Sequence, residues 1–177
     1  MWWIVLCLYS RSSKCFLVEF RFFRSDRDEY FCNTQKTIVM GLVYADIELI
    51  NSYDLEMVRR NIMGAEEVRH MYVNALVDTG AIMLCINEHI QEMMQFPVDG
   101  TRSLATADGR RLEGLVVKGV EIRFKNRRTL CRAIVLPGDS EPLLGAIPLE
   151  DMDVVIHPLR QELIVNPDFP DMAHCRI

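Results

Sequence analysis

Ala75-Leu76-Val77-Asp78-Thr79-Gly80-Ala81 is the stretch on which the reading of this chain turns. An ionisable Asp follows directly on an apolar run, and a small hydroxyl residue and a glycine come next. That order suits a buried strand that ends in a tight loop with the carboxyl facing a cavity. The plainer alternative is a turn that merely ends a strand, because Asp, Thr and Gly all favour turns. The tripeptide alone arises by chance in roughly a few chains per hundred, so its surroundings must decide between the two.

On the N-terminal side, Val68–Val77 is rich in β-formers and runs into the loop, and Gly41–Ile50 alternates as a half-buried strand does. Between them Asp54–Arg60 has helical spacing. On the C-terminal side, Leu84-Cys85-Ile86 predicts a short strand, and Asn87 can cap a two-turn helix through Met94 that Pro97 stops. Ser103–Thr106 and Leu112–Val117 flank Ala107-Asp108-Gly109, and an Asp-Gly pair between two extended runs predicts a hairpin. Val120–Phe124 and Leu130–Leu136 form another pair around the polar turn Lys125–Arg128. After Pro142 come Leu143-Leu144-Gly145, a short helix near Pro148–Met152, and strands Val154–His157 and Glu162–Val165 separated by Pro158. Short, closely spaced strands with one or two brief helices predict an all-β protein, closed or folded over on itself.

The chain has 177 residues and a mass of 20.5 kDa, enough for one core. Half its residues are hydrophobic and a quarter charged, which excludes disordered and collagen-like classes. A net charge of -5 supplies no basic field for phosphates, so nucleic acid is not expected as a partner. Residues 1–39 differ from the rest: they hold nine aromatics but no Gly, Pro or Ala, and six Lys/Arg against four Asp/Glu. Their apolar run Trp2–Tyr9 is too short to span a membrane, and its positive charges follow it rather than precede it as in a secretory signal. The expectation is therefore a non-native or flexible leader over 1–39, with Met40 as the natural start of a domain over 40–177. A membrane-touching extension is the alternative. Cys7, Cys15, Cys32, Cys85, Cys131 and Cys175 form no close pairs, and are read as reduced thiols of a cytoplasmic protein.

Phosphate loops, dinucleotide fingerprints, nucleophile elbows and the His-Glu-x-x-His pair are all missing from the sequence. His70, His89, His157 and His174 are isolated. Glu150, Asp151 and Asp153 read as a solvated acidic run rather than a cation site, so neither metal nor cofactor is expected.

With those flanks, the stretch around Asp78 resembles the retropepsin-like aspartic proteases, the single-lobe relatives of pepsin, and the bacterial members in particular. Three features match in order: the apolar run with Asp78-Thr79-Gly80-Ala81, the hairpin at Ala107-Asp108-Gly109 about thirty residues on, and Leu143-Leu144-Gly145 before a short helix. The resemblance extends from Met40 to about Pro167 and implies a half-barrel closed by homodimerisation. It also implies that Asp78 is catalytic and that Thr79, Gly80, Ala81, Leu144 and Gly145 support its loop. Ala107, Asp108 and Gly109 would be a flap over an extended peptide. The flap tip here has one glycine where retroviral flaps are richer in it, no aromatic occurs between residues 100 and 120 where pepsin-like flaps contribute one, and Gly145 is followed by Ala146-Ile147 without the arginine of many retroviral enzymes.

Aspartic proteases need two carboxylates sharing one proton, and this chain has a single Asp-Thr-Gly. The implied protein is a homodimeric endopeptidase acting on peptides or proteins, with one Asp78 from each copy. Its rival is a catalytically weak dimerisation or peptide-binding module of the same fold.

Overall fold

Alternation in Tyr44-Ala45-Asp46-Ile47-Glu48-Leu49 sends Ala45, Ile47 and Leu49 to the interior, each at most 4% exposed, and turns the polar residues outward. That strand begins the main body of the computed structural model, which describes residues 4–9, 15–20, 41–105 and 111–174. Two strands within residues 1–39, β1 (Ile4–Tyr9) and β2 (Cys15–Phe20), pair antiparallel in a sheet of their own.

The main body runs β3 (Tyr44–Asn51), α1 (Ser52–Arg59), a 3-10 turn (Ala65–Glu67), β4 (His70–Val77), β5 (Leu84–Asn87), α2 (Glu88–Met94) and β6 (Val98–Ala105). It continues through β7 (Arg111–Phe124), β8 (Arg127–Leu136), β9 (Leu143–Leu144), α3 (Ala146–Asp151), β10 (Val154–His157) and β11 (Glu162–Val165). Nine strands form one sheet in the order β10-β11-β3-β4-β9-β5-β8-β7-β6, and β3 also pairs with β7. That extra pairing closes six of them, β3-β4-β9-β5-β8-β7, into a barrel. The expected all-β architecture with few short helices is the one observed. Its closure, however, is internal: Glu48–Asn51 of β3 meet Val120–Arg123 of β7, so the ring needs no second copy.

Residues 111–124 are a single strand where the sequence suggests two. A register shift between Val117 and Val120 bends it against β8, and Gly119 sits there at a φ of 75°, where a Cβ would stand 2.4 Å from the Tyr53 ring. Before the bulge β7 pairs with β6, and beyond it with β3. The barrel interior is filled by Leu49, Ala75, Leu84, Val117, Ile122, Ala133 and Leu144, all inaccessible to solvent.

Strand β3 is paired within the chain along both of its edges. It has β4 along Tyr44–Ile50 on one side, and β7 and the start of β11 on the other. No helix among the described residues is long and apolar enough to cross a membrane.

Candidate active site

The loop after β4 is held from below by β9. Parallel pairing sets Leu76 beside Leu143 and Val77 beside Leu144, and the Asp78 amide donates to the Leu144 carbonyl at 3.1 Å. Leu144 is fully buried beneath the loop. Gly145 continues this support because it has no side chain: a Cβ there would stand 2.3 Å from the Met83 carbonyl oxygen and 2.7 Å from that of Ala81. The absence of a methyl group lets α3 begin against the loop, where the Ala146 and Ile147 amides donate to the Ala81 and Ile82 carbonyls at 2.8 and 3.0 Å.

Within the loop, Asp78 Oδ1 accepts the Gly80 amide at 2.8 Å, and the Ala81 amide donates to the Asp78 carbonyl at 3.1 Å. This Asx-type turn orients the carboxyl while leaving its second oxygen outside that bond. Asp78 is half-buried, and Thr79 and Gly80 are exposed at the open side of the loop. A Cβ at Gly80 would come within 3.0 Å of Asp78 Oδ1, so the glycine keeps the carboxyl uncrowded. Asp78, Thr79, Gly80, Ala81, Leu144 and Gly145 thus lie together in one hydrogen-bonded unit. Ala107, Asp108 and Gly109 lie outside the described residues. The strands leading to them, β6 and β7, form a long antiparallel ribbon from Val98↔Val117 to Ala105↔Arg111.

Cys85, on the strand that leaves the loop, is buried, and its thiol is pushed up to about 11, first by burial and then by the nearby Asp78 charge. The thiol is protonated at neutral pH and is no nucleophile. Cys131 is pushed up to about 12 by burial and Asp151. Among the described residues no group of three or more His, Cys, Asp or Glu is placed to hold a metal ion. Asp151 accepts a hydrogen bond from Thr129, and Asp153 accepts from Asn166 Nδ2 and the His174 amide.

Sequence reading missed the clamp on the neighbouring turn. Pro142 accepts the Leu76 amide at 2.9 Å, and Asn87, legible only as a helix cap, also donates to Ser140. Asn87 and Ser140 are 53 positions apart, and no local pattern signals such a contact. A groove of about 530 Å³ opens beside this turn, between α2, the near end of β7 and the end of β8.

A family described as aspartyl protease matches the chain over residues 67–161, more than half its length and including the whole Asp78 loop and its β9 support. No curated protein matches it.

Proposed function

Because this chain belongs to the aspartyl protease family, and so to the hydrolases of peptide bonds, we propose that it is an endopeptidase built from two copies, each contributing Asp78. The observation that carries this reading is the Asp78 loop itself: one half-buried carboxyl, turned by the Gly80 amide and backed by Leu144 and Gly145, with Thr79 and Gly80 exposed beside it. A lone carboxylate can orient a water. It cannot also protonate the departing group while remaining a base, and the chain contains no second Asp-Thr-Gly to share the work.

In the pair, the two Asp78 carboxyls hold one proton between them, because two like charges about 3 Å apart cannot both ionise. The ionised member takes a proton from the bound water as its oxygen attacks the scissile carbonyl carbon. The protonated member gives its proton to the carbonyl oxygen, forming a tetrahedral diol. Collapse of the diol breaks the C–N bond, and the amine leaves with a proton returned by the dyad. The pH dependence then belongs to the pair rather than to either residue. Thr79, exposed at the same face, would brace one loop against the other, and the β6–β7 ribbon would cover an extended peptide.

The test is incubation of the full chain with a mixed peptide library between about pH 4 and 7, the window such dyads occupy. Cleavage that disappears in Asp78→Asn while the protein stays folded and dimeric supports the endopeptidase. Peptide binding without cleavage by the unaltered chain would establish the binding module instead.

A further inference from the structure

The groove of about 530 Å³ between α2, the near end of β7 and the end of β8 is lined by no residue of the Asp78 loop. One bank is α2, which presents Glu88, Gln91 and Glu92, and the other carries Glu113 of β7. Between the banks the floor is apolar, where Leu115 and Val135 stand directly opposite each other in the β7–β8 ladder. No Lys or Arg is among the residues that line it.

Glu88 and Glu92 are one helical turn apart, a spacing at which like charges repel. Glu88 spends one oxygen on the Gly138 amide at 2.9 Å. Glu92 and Glu113 are exposed and make no ion pair among the described residues. Walls of one sign over a floor of low dielectric focus the field and draw cations in. Gln91 adds a different demand: its Nε2 donates to the Phe96 carbonyl at 2.8 Å, which leaves Oε1 buried with no hydrogen-bond partner. A buried acceptor in that condition is satisfied by an N–H that an occupant brings. Carboxylates alone would take any cation, whereas the apolar floor and the amide oxygen suit a polypeptide. We propose that this groove binds a basic segment of a partner protein, with an apolar side chain on Leu115 and Val135 and a Lys or Arg on each side reaching Glu92 and Glu113. The inference goes beyond the endopeptidase reading and holds whether or not the chain cleaves peptides.

The test uses the full chain carrying Asp78→Asn, so that hydrolysis does not consume the probe, and a short labelled peptide in which two arginines flank a pair of leucines. Fluorescence anisotropy should show binding that weakens at least about tenfold when the arginines are replaced by glutamates, and by a similar factor when the leucines are replaced by serines. Glu92→Gln and Glu113→Gln, both exposed positions, should each weaken it about two- to fivefold at an unchanged melting temperature, the scale of one exposed ion pair. That difference should fade as salt rises from about 50 to 500 mM, because exposed charges are screened. Equal affinity in the glutamine variants, or equal binding of the glutamate peptide, would overturn the inference. So would displacement of the peptide by spermine at matched charge and concentration, since the floor would then contribute nothing, and so would self-association that Glu92→Gln abolishes, which would give the groove to a second copy. Hydrolysis of the library by Asp78→Asn would sink the endopeptidase reading alone and leave these binding comparisons to decide the groove.

Discussion

A single methyl group separates a working loop from a displaced one at Gly145. Its Cβ would collide with backbone oxygens, and neither the Met83 nor the Ala81 carbonyl can rotate away without breaking the turn. Gly145→Ala should therefore destabilise the fold by about 1–3 kcal/mol, read as a lowered urea midpoint, and should displace α3 from the Asp78 loop. An unchanged midpoint would show that the loop carries slack. Asp78→Asn behaves differently, because the amide retains an oxygen to accept the Gly80 amide. Stability should hold while hydrolysis drops at least about a thousandfold, measured on one peptide with both proteins at equal concentration. At this scale the sequence was most legible around Asp78. The carboxyl, the hydroxyl and the glycine are adjacent in the chain, so their order alone announces the loop.

Among the secondary-structure elements, the joint between α1 and β4 holds a buried charge. Asp54 is 2% exposed and accepts three hydrogen bonds from Arg69, from its amide, Nε and Nη2, while Arg69 Nη1 reaches Gln95 at the end of α2. The Arg69 hydrogen bonds hold the Asp54 carboxyl below its ordinary value. A depressed carboxylate stabilises the fold fully above its unfolded pKa of about 4, and that stability is lost as pH falls through the lowered folded value. Asp54→Asn should cost about 2–3 kcal/mol at neutral pH, less than a wholly buried pair because Arg69 remains a third exposed. The gap should narrow on acidification below pH 4, and urea titrations of both proteins at several pH values check the sign. This pairing was not legible in the sequence, where Asp54 reads only as the start of a stretch with helical spacing. The bend in β7 escaped in the same way, since Lys118-Gly119 looks like a break until β8 is seen pairing on both sides of it.

For the whole molecule, the prediction concerns concentration. If two copies must meet to complete the dyad, specific activity falls on dilution below the dimer dissociation constant, and rate rises with the square of protein concentration in that range. Mixing equal amounts of the unaltered chain and Asp78→Asn, with time for exchange, should leave about a quarter of the activity of the same total of unaltered chain, because only one random pair in four has both acids. A residual activity of one half would mean that each copy works alone. The internal closure of the barrel through β3 and β7 makes the experiment practicable, since the strand ring of a dissociated copy is complete without its partner.

From the sequence alone follow the β-rich class, the order of the strands and the candidate carboxyl, because periodicity, turn chemistry and a contiguous Asp-Thr-Gly are local properties that neighbours in the chain declare. The ring closure, the unbroken β7, the Asp54–Arg69 joint and the Asn87 clamp were decided only in three dimensions. Each depends on residues 15 to more than 70 positions apart that become neighbours when the strands curl into a barrel. Such contacts arise from packing and hydrogen-bond satisfaction within the closed sheet, which no short stretch of residues can encode by itself.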